Sequence, residues 1–255
     1  MRYRTGSIEV NPVLDEQILR LVLRAGHISH EQLLRFLQVG TAAFMRDSLN
    51  WRLRRLVQHE LLVRDAVPIL ARTRVYSIGA LGADYLAGRG EFYALPVRGE
   101  ANRQASSSIL HSLDLNDIHL ALRDAQVLVQ WRSESQVRSR NELTTSRYDK
   151  DYDAVVAVRV RGADVEFALE YERTPKAKRR YEFVRAKLEH ERQMQRFVYI
   201  AANHHLMNYV ARALAGVSRP VYFGILQDMR ERRLEMTVID ASRSRSLCLG
   251  DALLR

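Results

Sequence analysis

Three carboxylates, Asp153, Glu170 and Glu172, fall in a stretch whose pattern can bring them to one end of a β-hairpin. The stretch, residues 152–174, reads YDAVVAVRVRGADVEFALEYERT. Its two runs, 152–160 and 165–172, are rich in Val, Ala and aromatic residues, and Arg161, Gly162, Ala163 and Asp164 form a polar connection between them. Side chains alternate faces along a strand, so Phe167, Leu169 and Tyr171 share one face and Glu170 and Glu172 the other. With Val160 paired to Val165, Asp153 comes opposite Glu172 and Val155 opposite Glu170. Carboxylate oxygens gathered in this way suit Mg²⁺ or Mn²⁺, which activates water and neutralises phosphate charge during hydrolysis. On a solvated strand face the same acids would instead pair with some of the chain's arginines.

The elements that position this hairpin belong to a chain of 255 residues, long enough for two domains with separate cores. The formal net charge is +10 and the pI about 10.0, which favours a polyanionic partner. Only Lys150, Lys176, Lys178 and Lys187 are lysines, so nearly all of the 40 basic residues are arginines, the residue that grips phosphates and guanine edges in bidentate fashion. The lone Cys248 excludes an intrachain disulfide framework and a Cys-rich zinc module. No apolar run reaches membrane-spanning length and the start, MRYRTGSIEV, has no signal-peptide core, so the expected location is the cytoplasm.

Three helices are predicted in the first hundred residues. Ile18, Leu19 and Val22 line one face of a helix over 14–24 that stops at Gly26. Ser29 and Gln32 form a capping box for a helix over 30–38. A third helix, 43–61, has an apolar stripe of Leu49, Leu53, Leu56 and Val57, and its other face carries Arg46, Ser48, Asn50, Trp51, Arg52, Arg54 and Arg55. Two short strands, 61–65 and 74–78, flank a tip with Pro68, Arg72 and Arg74. This order is that of a winged helix-turn-helix, in which the third helix enters the major groove and the wing touches backbone or minor groove. Arg46, Arg52, Arg54, Arg55, Arg72 and Arg74 are then phosphate-binding candidates, with Ser48 and Asn50 suited to base edges. Phe44 and Trp51 suit a dimer contact or the docking of a protein partner.

The expected division is a DNA-binding domain over 10–88, a linker over 89–107 and a second domain over 108–255. The second domain begins with a helix over 109–125 carrying His111, Asn116, Asp117 and His119, and continues with a strand over 127–131 ending near Glu134. Residues 135–150 read as a long irregular connection. After the hairpin come a helix over 176–193, a strand over 196–201, a helix over 204–215 and strands over 220–226 and 234–239. The whole is α+β, with a mixed sheet flanked by helices in the second domain.

This order resembles the PD-(D/E)xK nuclease superfamily, the restriction-endonuclease-like fold. Tyr152-Asp153 stands where that superfamily has its PD pair and Glu170-Tyr171-Glu172 where it has (D/E)xK. More narrowly, a winged helix followed by LNDIHLAL, WRSE, YDA, FALEYERT and RAKLEH resembles the replication-relaxation family of plasmids and integrated mobile elements. The resemblance implies a double-stranded DNA-binding protein acting in replication, mobilisation or transcriptional control. An alternative is a Mg²⁺- or Mn²⁺-dependent endonuclease directed by the winged helix, and a second alternative is a protein docking module. It implies metal binding by Asp153, Glu170 and Glu172, with Glu134 as a further acid. The superfamily's lysine is replaced here by Glu172, and Lys187 is the candidate to supply it, with phosphate binding or a solvent position as its alternatives.

Overall fold

The computed structural model describes residues 8–38, 45–70, 72–91, 103–242 and 245–255. The chain divides into two compact units, Met1–Asn116 and Asp117–Arg255. The sequence places the boundary at 108 after a linker, whereas the division falls inside a long helix, Arg103–Asp124. Residues 92–102 of the expected linker lie outside the described residues.

In the first unit, α1 (Asp15–Ala25) carries Asp15 and Glu16 in its first turn and Arg24 in its last, charges that complement the helix dipole. It ends at Gly26, whose φ of 69° suits a residue without a Cβ. A short strand, β1 (His27–Ser29), leads into α2 (His30–Gln38). Ser29 and Gln32 form the expected reciprocal cap, each side chain bonding the other's backbone N–H at 3.2 Å. Then come α3 (Arg46–Gln58), β2 (Leu62–Asp65), β3 (Val75–Ile78) and α4 (Ala80–Ala87), the last a helix the sequence reading did not assign. The strands form one antiparallel sheet in the order β1-β3-β2. Leu49, Leu53 and Leu56 of α3 are buried, and Val57 is half-buried.

After α5 (Arg103–Asp124), the second unit forms a seven-stranded mixed sheet in the order β10-β9-β8-β7-β6-β5-β4. The strands are β4 (Leu128–Ser133), β5 (Ala154–Val160), β6 (Ala163–Glu172), β7 (Phe197–Ala201), β8 (Val221–Ile225), β9 (Thr237–Asp240) and β10 (Ser246–Cys248). The centre, β6-β7-β8, is parallel, and the remaining pairs are antiparallel. Helices α7 (Lys178–His190) and α8 (His204–Ala213) make the two parallel crossovers. Every residue of β7 and β8 is buried, and this is why FVYIA and VYFGI read as continuous apolar runs. Tyr152, Val155, Ala168, Tyr181, Leu188, Phe197, Tyr199, Leu214 and Phe223 share one core cluster. The chain closes with α9 (Leu226–Arg232) before β9 and α10 (Leu249–Leu253) after β10.

Two expectations are corrected in this unit. Residues 135–150 are not irregular throughout, because α6 (Glu134–Leu143) starts on a capping box of Ser133 and Gln136. The hairpin connection is shorter than four residues: Val160 pairs with Ala163 rather than Val165. Only Arg161 and Gly162 turn the chain, with φ of 48° and 86°. Positive φ at both central residues matches the right-handed twist of the flanking strands, and glycine meets it without steric cost.

Candidate functional site

The tight turn moves the hairpin register by two residues, and an even shift leaves every side chain on its expected face. Ala154 faces Leu169, so continuation of the ladder brings Asp153 beside Glu170 and not Glu172. Asp153 Oδ2 accepts a hydrogen bond from the backbone N–H of Tyr171 at 2.7 Å, which fixes the carboxylate between the two glutamate positions.

Glu170 and Glu172 are not on a solvated face; they are 2% and 3% exposed. Their direct partners are lysines. Lys150 Nζ pairs with Glu170 Oε1, and Lys176 Nζ stands 2.7 Å from Glu172 Oε1. Burial, reinforced by the charge of Asp153, pushes Glu170 up to about 7 against the opposing pull of Lys150 and Lys176. Burial also raises Glu172, with Lys176 opposing. Burial alone would lower Lys176, yet attraction to Glu172 and Glu170 outweighs it and holds the ammonium above its usual range.

Tyr199, directly beside Glu170 in the parallel β6-β7 ladder, is 2% exposed, and its hydroxyl has no hydrogen-bond partner. Burial and then the charge of Glu170 keep that hydroxyl protonated well beyond the ordinary tyrosine range. Around Lys150 the backbone is pinned by Glu191, itself 2% exposed. Glu191 Oε2 accepts from the Asp149 N–H and from the Tyr152 hydroxyl, both at 2.9 Å.

Lys187, the sequence candidate for the missing lysine, does not join the acids: its Nζ lies 5.5 Å from the Phe183 ring centroid on the same helix. The ammonium groups beside the acids are those of Lys150 and Lys176, and Tyr199 and Glu191 complete a cluster that sequence reasoning missed. A signal was present in the composition, since the chain has four lysines and two of them meet the two buried glutamates. Glu134 pairs with Arg138 at 2.5 Å in the first turn of α6. Among the described residues, no three His, Cys, Asp or Glu side chains form a group able to hold a metal as they stand.

The candidate DNA-binding side chains separate into two sets. Arg52 Nη1 lies 2.7 Å from Asp15 Oδ1 and Arg55 Nη2 pairs with Asp15 Oδ2, Asp15 being fully buried. These two arginines hold α3 to α1, which corrects their reading as phosphate contacts. The Trp51 ring is 49% exposed, and the Arg55 and Arg52 guanidinium carbons lie 4.8 Å and 5.7 Å from its centroid. Phe44 lies outside the described residues. The second set faces outward. Arg54, Arg72 and Arg74 are exposed and Ser48 is half-buried. Arg46 makes a bidentate pair with Glu31 at 2.6 Å and 2.8 Å. Asn50 Oδ1 accepts from Arg74 Nη1 at 3.2 Å and lies 3.0 Å from His30 Nε2.

No described helix is long and apolar enough to cross a membrane. No family model matches the chain, and no curated protein matches it. A solved structure of the restriction endonuclease FokI bound to DNA is similar over 84% of this chain, at 9% sequence identity and a TM-score of 0.25. This chain spans 43% of that one, and the likeness is too slight to carry any residue's role across.

Proposed function

We propose that this protein binds double-stranded DNA through its N-terminal unit, folded as a winged helix, and that its C-terminal unit is a restriction-endonuclease-like domain. The observation that carries the reading is the Arg74 to Asn50 hydrogen bond at 3.2 Å, which ties α3 to the end of the β2-β3 connection. Helix and tip then offer Arg46, Asn50, Arg54, Arg72 and Arg74 to a duplex, with Arg52 and Arg55 reserved for Asp15. A net charge of +10 favours the same partner. With the resemblance to the replication-relaxation family, the role is in replication, mobilisation or transcriptional control of a plasmid or mobile element, in the cytoplasm.

A second reading, a metal-dependent endonuclease, is favoured by Lys150 and Lys176, because they bring ammonium groups to an acidic site that lacks the motif lysine. Asp153, Glu170 and Glu172 are hard oxygen donors of the kind Mg²⁺ or Mn²⁺ takes, and Glu170 and Glu172 are buried beside the unpaired Tyr199 hydroxyl. Such an ion would neutralise phosphate charge and activate water there. In the protein docking alternative, Trp51 anchors a partner and DNA affinity has little salt dependence.

The test is a duplex titration at several salt concentrations, run beside a cleavage assay on the same DNA with and without Mn²⁺. Tight, salt-dependent binding weakened by Arg72→Ala is the expected result. Salt-independent weak binding would remove the DNA-binding reading. Cutting abolished by Glu170→Ala would establish the nuclease, and wild-type inactivity with Mn²⁺ would count against it.

A further inference from the structure

We propose that Lys150 is a tethered counter-ion: its ammonium holds on Glu170 the place that a divalent cation takes between Asp153 and Glu170, and the ion binds by displacing it. The inference rests on the reading of these acids as a metal site.

Glu170 is almost fully buried, and its direct ionic partner is Lys150, whose side chain is 19% exposed. A buried carboxylate needs a cation, and here the fold supplies one on a movable arm. The attachment point is rigid, because Glu191 grips the Asp149 N–H and the Tyr152 hydroxyl on either side of Lys150. The side chain itself has a way out: Nζ reaches the Asp151 carbonyl at 3.5 Å, toward the exposed end of the segment. Glu172 needs no such exchange, since Lys176 serves it independently.

Two further observations point to a ligand. The Tyr199 hydroxyl lies on the acids' face of the sheet, buried and without a partner, an arrangement that costs free energy until something accepts its proton or donates to it. Water held by a cation between Asp153 and Glu170 would do so. Charge gives the second. The ladder sets Asp153 beside Glu170, and a divalent ion between two adjacent carboxylates offsets their repulsion more than a single ammonium does.

Calorimetric titration with Mn²⁺ tests the exchange on wild type, Lys150→Met, Glu170→Gln and Tyr199→Phe. Lys150→Met, which keeps the length and removes the charge, is expected to bind Mn²⁺ about fivefold tighter than wild type, the order of effect when one competing ion pair at a partly exposed site is lost. Glu170→Gln should bind none and Tyr199→Phe more weakly than wild type. Equal affinity in wild type and Lys150→Met overturns the exchange and leaves the metal site standing. Absence of binding in both removes the metal site as well. A second measurement needs no variant: acetylation of wild type read by peptide mass spectrometry should find Lys150 protected without ion and reactive with Mg²⁺, with exposed Lys178 as the internal reference. Reactivity at Lys150 unaltered by Mg²⁺ overturns the proposal.

Discussion

Asp153 Oδ2 accepts the backbone N–H of Tyr171 at 2.7 Å, so the carboxylate at the start of one strand is bonded to the residue that separates two buried glutamates on the next. Asp153 therefore has a structural duty apart from any metal. Asp153→Ala removes the carboxylate acceptor of this part-buried N–H and should cost about 1–3 kcal/mol of stability. Asp153→Asn keeps an acceptor oxygen, removes the charge and should cost clearly less. Urea denaturation of the two variants makes the comparison, and equal stabilities would show that the hydrogen bond contributes nothing.

The turn that sets this register rests on one glycine. Gly162 has φ of 86°, and a Cβ built there meets nothing within 4 Å. Substitution is therefore opposed by backbone conformation alone. Gly162→Ala should destabilise the second unit by about 1–2 kcal/mol, and Gly162→Val by more, because a β-branched residue tolerates positive φ least. Gly162→Asn, which accepts the left-handed region, should restore most of the loss. Thermal unfolding of the three variants gives the ranking, and a silent Gly162→Val would mean that the turn does not hold the register.

The outward and inward arginines of α3 should separate cleanly in experiment. Arg55→Ala removes one partner from fully buried Asp15 and should cost about 3 kcal/mol, toward the low end for a broken buried pair because Arg52 remains. Arg54→Ala and Arg72→Ala should leave stability unchanged, weaken duplex binding and each lower the salt slope by about 1. Binding titrations at three salt concentrations, with urea curves on the same preparations, test the two sets together. A stable Arg55→Ala protein with weakened DNA binding would reverse the assignment.

The legible parts of the fold were those in which local rules act alone. Ser29 and Gln32 cap α2 as their spacing predicts, and the alternation of β6 put Glu170 and Glu172 on one face. Ser133 and Gln136 repeat the Ser29 and Gln32 spacing and cap α6 in the same way, so that helix was readable and was obscured by the polar, arginine-rich sequence after its cap. The hairpin register was not readable to the residue, because both a four-residue and a two-residue connection satisfy the same alternation. Lys150 and Lys176 were hidden for a different reason. An ammonium on a long side chain reaches its carboxylate through tertiary placement, and spacing along the chain does not encode that reach. The same holds for Arg55, whose exposure pattern on an isolated α3 suggests solvent until α1 brings Asp15 beneath it.

His119 gives a pH signature whose sign differs from that of the acid site. Its ring stacks on Trp131 with centroids 4.4 Å apart and planes 5° from parallel, and burial, with Arg123 nearby, lowers its pKa from 6.5 to about 3. The unfolded chain takes up the proton near 6.5 while the folded one resists it. Stability present above that pH is therefore lost as the pH falls from 6.5 toward 3, at no more than about 1.4 kcal/mol per unit. Glu170 acts in the opposite sense: raised to about 7, it favours the folded state in its protonated form and withdraws that stability as the pH rises from the ordinary carboxylate range to neutrality. Comparing His119→Phe with wild type at each pH cancels the Glu170 contribution. The phenyl ring keeps the stack on Trp131 and cannot titrate. Between pH 7 and pH 4 the stability difference should move by about 2 kcal/mol in favour of the variant, less than the full linkage value because the histidine ring is only partly shielded from water. Urea denaturation at pH 4, 5.5 and 7 decides it. A constant difference between the two proteins across that range would mean that His119 takes up its proton as readily in the folded state as in the unfolded one.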